Sequence, residues 1–263
     1  MKIFLALWYA LKALARLAMI GMAMAVLGSG SAHAAAVTGT GKVQVEVVGN
    51  GRPLLMIPGL NSSAEVWRET CLALKDVQCH LVQLPGFAGA APADPRPAEF
   101  LPALRGQLLA YLHDQHLGPV VVIGHSLGGL LGLQMAQAEP AAVSALVVVD
   151  ALPFLPAARD PNATADSVRP MADQLRKGML AADAAQWQAQ LKAGLPGMTR
   201  DPQHQAELGR WGEGSDRQTT ADAMHAVMTT DLRGSIASIS APTLMLGSWA
   251  GYQPMGATEN STR

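Results

Sequence analysis

Pro119-Val120-Val121-Val122-Ile123-Gly124-His125-Ser126-Leu127-Gly128-Gly129-Leu130-Leu131-Gly132-Leu133-Gln134-Met135-Ala136 is the stretch that decides the fold. Its β-branched opening reads as a buried strand, and the residues from Gly129 onward read as a helix. Between the two, Ser126 stands at a sharp strand-to-helix turn, with glycine two positions before it and two after. That arrangement is a nucleophile elbow, a strained turn where only glycine lets neighbouring backbone pass so close. The five residues 124–128 are a weak signal in a chain with 26 glycines. The strand and helix around them make it specific.

Strands and helices alternate outward from the elbow. Lys42-Val43-Gln44-Val45-Glu46-Val47-Val48 alternates with period two, Gly49-Asn50-Gly51 signals a hairpin turn, and Pro53-Leu54-Leu55-Met56-Ile57 is a continuous apolar strand. Ser62 or Ser63 can cap a helix running through Val66, Trp67, Cys71, Leu72 and Leu74. A strand follows at 79–84, then a loop at 85–92. A helix at about 98–116 carries Phe100, Leu101, Leu104, Leu108, Leu109 and Leu112 on one side. Past the elbow, a strand at 143–149 ends at Asp150. Such a pattern predicts an α/β fold, a mostly parallel sheet with helices on both faces. Ligands of these sheets sit at the carboxyl ends of the strands, where the elbow places Ser126. From about 153 to 216 the strand pattern gives way to an inserted helical cap. Pro156, Pro161, Pro170, Pro196 and Pro202 punctuate helical stretches there, at 171–179 and 182–191. The chain returns to the sheet through a helix near 219–228 and the strand Ala241-Pro242-Thr243-Leu244-Met245-Leu246-Gly247.

The 263 residues suffice for one α/β domain with a full core, and 49% of them are hydrophobic. A formal net charge of −1, with no basic patch, argues against nucleic acid as a partner. Residues 1–34 read as a signal peptide: Lys2, Lys12 and Arg16 precede an apolar run at 17–27, and Ala32-His33-Ala34 fits a cleavage site. Cleavage after Ala34 would leave a periplasmic or secreted domain at 35–263. Losing three positive charges would take its net charge from −1 to −4. The alternative is an uncleaved anchor, lengthened by the apolar run at 3–11, which would be the chain's one membrane contact. Cys71 and Cys79 can form a local disulfide in an exported chain, or serve as two small buried hydrophobes. No His, Cys or Asp cluster has metal-ligand spacing, so neither metal nor organic cofactor is expected. Oligomeric state is left open.

Four landmarks in order, Ile57-Pro58-Gly59-Leu60, Leu84-Pro85-Gly86-Phe87-Ala88-Gly89, the elbow with Gly129, and Ala241-Pro242-Thr243-Leu244, make the chain resemble the α/β-hydrolase superfamily. The similarity spans about 40–255 and falls in the esterase-like branch with a helical cap. It implies a small-molecule acyl substrate, such as a carboxylic ester, and Ser126 as the nucleophile that becomes acylated. It also implies an oxyanion hole made by the backbone N–H groups of Leu127 and Leu60. Relatives often carry His-Gly where this chain has Pro58-Gly59, a change that leaves the N–H donor in place.

The acid and the base fit that pattern less well. Relatives usually carry a carboxylate just after the strand at 243–246, where this chain has none before Glu259. Others use the end of the preceding strand, and Asp150 sits there. Its plainer role is a strand-end hydrogen-bond acceptor. Asp231 reads as a turn residue. The resemblance places the basic histidine after one further strand, yet no histidine follows His225. His125 points away from the Ser126 hydroxyl, His225 belongs to an amphipathic helix and His204 to a polar surface. His80 starts a strand, and His113 and His116 end a helix. The expectation is therefore that the last strand, the histidine loop and the final helix are missing. The strand at 243–246 would then be an uncovered apolar edge, and turnover would be weak. The alternative is a non-catalytic binding protein of the same fold, or a truncated pseudoenzyme.

Overall fold

The computed structural model describes residues 41–248, so the expected signal peptide and residues 249–263 lie outside the described part. Its sheet is built from β1 (Gln44–Gly49), β2 (Arg52–Ile57), β3 (Val77–Gln83), β4 (Val120–His125), β5 (Val143–Val149) and β6 (Thr243–Leu246). Their order is β1-β3-β2-β4-β5-β6, with β1 antiparallel to β3 and the remaining pairs parallel. The expected parallel sheet is present.

The hairpin signal at Gly49-Asn50-Gly51 does not pair its flanking strands, because β3 lies between β1 and β2. A Cβ on Gly51, whose φ is 124°, would overlap the carbonyl of Asp76. The turn thus folds against the residue just before β3. This lets β3, buried from Cys79 to Val82, hydrogen-bond along both edges.

Period-two alternation divides the core between the two faces of the sheet. On one face Leu55, Ile57, Val82, Val122, Leu146 and Val148 pack with leucines of two helices, α2 (Phe100–Asp114) and α3 (Leu127–Ala138). On the other, Leu54, Met56, Leu81, Val121, Ile123 and Val147 meet Trp67 and Cys71. Those two side chains come from a 3-10 turn (Ala64–Trp67) and α1 (Arg68–Ala73). Burying each such aliphatic side chain is worth about 1.5–3 kcal/mol. Of the two candidate caps, Ser63 acts: its hydroxyl oxygen accepts the N–H of Glu65. Cys71 and Cys79 form a disulfide that ties α1 to β3.

Between β5 and β6 lie α4 (Ala165–Ala181), α5 (Ala184–Met198), α6 (Pro202–Glu213) and α7 (Arg217–Thr229). The first two extend well past the expected stretches, and Pro170 and Pro196 lie inside them. A capping box at Thr164 starts the first upstream of where apolar periodicity alone would, and one at Asp183 starts the second at Ala184. Pro196 falls in the last turn, close to the end of the hydrogen-bond ladder. α6 is unanticipated; Asp201 nucleates it by accepting the N–H groups of Gln203 and His204. β6 pairs with β5 alone among the described strands, and its Met245 is 45% exposed.

The cross-link spans eight residues of sequence. Chain-entropy arithmetic for so short a loop gives about 2–3 kcal/mol. Urea unfolding with and without reductant should show a loss of that size. An unchanged midpoint would mean that the bridge contributes nothing.

Candidate active site

Ser126 joins β4 to α3 with φ 51° and ψ −115°, a conformation disfavoured for any residue with a side chain. Its neighbours hold it there. The Ser126 N–H donates to the carbonyl of Val149 at 2.9 Å, and its carbonyl accepts the N–H of Leu130 at 3.1 Å. A Cβ on Gly124 would overlap the carbonyl of Gly128, and one on Gly128 would overlap the carbonyl of Ile57. Both glycines of the elbow are therefore required by close backbone approach.

The loop after β2 lies directly against the serine. A Cβ on Gly59 would stand 3.3 Å from the Ser126 Cβ and 2.9 Å from His125 Nδ1. This contact was not legible in the sequence. Leu60 follows, and its N–H has no acceptor among the described residues. Leu127 is the first residue of α3, so its N–H has no intrahelical acceptor and lies at the positive end of the helix dipole. The structure thus brings Ser126, Leu127 and the Leu60 loop together at the carboxyl ends of β2 and β4. Such a cluster presents a half-buried hydroxyl beside backbone donors, which suits attack on a carbonyl carbon.

Asp150 has φ 50°, and its N–H donates to the carbonyl of Leu246 at 2.7 Å. One carboxylate oxygen accepts the N–H of Ser248 at 3.2 Å. It therefore joins the ends of β5 and β6, the plainer of its two expected roles, and it also lies close enough to act on His125 electrostatically. Burial pushes the His125 imidazole below its ordinary pKa, and the Asp150 charge offsets part of that shift. The buried Nδ1 of His125 has no hydrogen-bond partner.

Three other histidines are engaged elsewhere. His80 Nδ1 lies 2.7 Å from the Tyr111 hydroxyl, His113 pairs with Glu139 at 2.7 Å, and His225 pairs with Asp173 of α4 at 2.9 Å. His204 is exposed on α6, as expected. Among the described residues no histidine is hydrogen-bonded to Ser126, and no group of His, Cys, Asp and Glu could hold a metal ion. Nor is any described helix long and apolar enough to cross a membrane.

The start of α7 ties the loops around the site. The Asp216 N–H donates to the carbonyl of Gly86, and Gly89 N–H donates to the carbonyl of Gly214. The Asp216 carboxylate accepts from Arg96, from the Thr219 N–H and from the Thr219 hydroxyl. Burial alone would raise its pKa; these donors outweigh that and hold it below the ordinary carboxylate range. Thr220 reaches the loop beside the serine, its hydroxyl 2.6 Å from Asn61 Oδ1.

Residues 54–259 match the sequence profile described as the Alpha/beta hydrolase family, and the chain belongs to that family. Among curated relatives, it is 34% identical over 116 residues to a pimeloyl-[acyl-carrier protein] methyl ester esterase of Vibrio atlanticus, covering 44% of this chain and 42% of the relative. It is 33% identical over 102 residues to a putative carbamate hydrolase of Klebsiella pneumoniae, covering 38% of each. The matched stretch thus spans about two fifths of these relatives' length. A crystal structure of a hydrolase from Pseudomonas aeruginosa superposes with a TM-score of 0.66 at 20% identity, covering 78% of this chain and 76% of that one. At that identity the likeness concerns the fold.

Two measurements check this geometry. Gly128→Ala should cost about 3 kcal/mol through overpacking. Gly106→Ala, on α2 with open space at its Cβ position, should be neutral or slightly stabilising. Similar midpoints for the two variants would refute the close approach. Burial also lowers the pKa of His80, as it does that of His125. The unfolded chain binds these protons near pH 6.5 while the folded chain does not, so stability should fall as pH drops below about 6.5. Replacing His80 by Gln and His125 by Asn should flatten the urea-midpoint profile between pH 8 and 5. A profile identical to the parent's would exclude both histidines as the cause.

Proposed function

We propose that the chain is an exported serine hydrolase that acts on a carboxylic ester or related acyl substrate. Ser126 is the nucleophile in this reading, the Leu60 and Leu127 N–H groups form the oxyanion hole, and Asp150 is the acid. The observation that carries the reading is the placement of the strained Ser126 beside Gly59-Leu60 and at the start of α3. The esterase-like relatives support the substrate class. Export is supported by the Cys71–Cys79 disulfide, which persists in oxidising compartments.

The chemistry follows from that arrangement. Ser126 Oγ bonds to the acyl carbon as the hydroxyl gives up its proton to solvent water, and the carbonyl oxygen becomes an oxyanion facing the two N–H donors. Collapse breaks the bond to the leaving alkoxide, which takes up a proton and departs as the alcohol. Water then adds to the acyl-serine, and a second collapse frees the acid and restores the hydroxyl. Asp150, whose negative charge reaches His125, favours the protonated water that has taken the serine proton. With no imidazole bonded to Ser126 among the described residues, turnover in this reading is slow.

The same observation favours a second reading, a non-catalytic binding protein that keeps the fold. A fluorophosphonate probe separates the two, since its phosphorus bonds to an activated serine oxygen with loss of fluoride. In the hydrolase reading residues 35–263 are labelled, Ser126→Ala abolishes labelling, and a chromogenic short-chain ester is cleaved slowly. No labelling of folded protein would leave the binding reading. Fast ester turnover lost in Ser126→Ala would overturn slow catalysis.

A further inference from the structure

Thr220 is 1% exposed on α7, and its hydroxyl lies 2.6 Å from Asn61 Oδ1, a contact that closes 159 residues of sequence. Asn61 directly follows Leu60 and has φ 55°, a left-handed conformation that asparagine tolerates better than most side chains. The loop's own hydrogen bonds are long. Ser62 N–H reaches the Gly59 carbonyl at 3.3 Å, and the Ser62 hydroxyl reaches the Leu60 carbonyl at 3.4 Å. Both lie at or beyond the outer limit of good geometry, whereas 2.6 Å is a short, well-formed O–H···O bond. The Thr220 hydroxyl also lies 2.9 Å from the carbonyl of Asp216. Its single proton therefore has the Asn61 oxygen as the nearer acceptor.

We infer that Thr220 is a positioning residue for the oxyanion hole: by donating to Asn61 it fixes the left-handed turn that aims the Leu60 N–H at the site. The role of Leu60 rests on the hydrolase reading above; the tether itself does not. The helix bearing Thr220 is well placed to hold the loop, because its first turn is anchored to the loop after β3 and to Arg96. Loss of the hydroxyl leaves Asn61 in a disfavoured conformation with no side-chain partner, and relaxation of that turn frees the preceding Gly59–Leu60 peptide, which carries the Leu60 N–H, to tilt.

Three variants test this. Thr220→Val keeps the branched shape without the hydroxyl, Thr220→Ser keeps the hydroxyl, and Asn61→Gly keeps the backbone preference without the acceptor. Two readouts apply to each: the second-order rate of fluorophosphonate labelling, and amide hydrogen exchange in the segment 56–64. Thr220→Val should label about tenfold more slowly, less than the loss of a whole oxyanion donor, with faster exchange confined to that segment. Thr220→Ser should match the parent. Asn61→Gly should resemble Thr220→Val, and the double variant should lose nothing further. Labelling of Thr220→Val within twofold of the parent, or unchanged exchange, overturns the inference. If the parent itself does not label, the hydrolase reading fails, and exchange alone then decides: faster in Thr220→Val sustains the tether, unchanged removes it.

Discussion

Everything in this molecule depends on one close passage of backbone. The end of β4 packs so tightly on the start of α3, and the start of α3 on the end of β2, that Gly124 and Gly128 have no room for a Cβ. The same crossing puts Ser126 into its disfavoured conformation and brings the Leu60 loop beside it. Strain at one residue costs on the order of 1–3 kcal/mol, and the surrounding core repays it many times. Leu55, Ile57, Val122 and Ile123, all fully buried, lock the two strands on which the crossing rests. The packed sheet is the reason that a serine can be held in so unfavourable a conformation.

A second constraint acts from the far end of the chain. The helical insertion leads into α7, whose first turn bonds to Gly86, Gly89 by way of Gly214, Arg96 and Asn61. α4 in turn is linked to α7 through the Arg176–Asp222 and His225–Asp173 pairs. These pairs are partly exposed, so each contributes modestly. Their value is geometric: the insertion, the loop after β3 and the loop beside the serine all refer to one helix.

The parts legible in the sequence were those with strong local signals. β-branched runs gave the positions of β4 and β5, a continuous apolar run gave that of β2, and the elbow motif placed Ser126, because strand patterning and glycine spacing are consequences of backbone sterics. Long-range pairing was less legible. Gly49-Asn50-Gly51 has hairpin chemistry, but which strand lies next to β1 depends on where the two-faced apolar strand β3 finds partners. α4 began earlier than apolar spacing implied because Thr164 supplies capping bonds, and α5 ran on past its expected end through Pro196. The contacts of Asn61 and Gly59 were out of reach, since their partners lie 159 and 66 or more residues away. The one available hint was an asparagine following Gly59-Leu60, a residue type suited to the left-handed turn.

The distribution of groups around Ser126 bears on what kind of chemistry such a site sustains. Backbone donors act on the oxyanion without changing protonation, while an imidazole acts by accepting the serine proton. In serine hydrolases the two contributions are separable: loss of a triad member leaves roughly 10³–10⁴-fold acceleration from the oxyanion hole and binding alone. A site built as proposed, with donors placed by packed backbone, would keep that share wherever its proton goes. The His125 ring lies against Gly59, as Ser126 does, but its Nδ1 is buried without a partner and burial favours its neutral form. Its position suits packing and a dry wall behind the serine more than proton transfer. In the proposed hydrolase reading the rate would be set by how rigidly the Leu60 and Leu127 amides are aimed, which would make the loop's tether to α7 the feature on which residual catalysis turns.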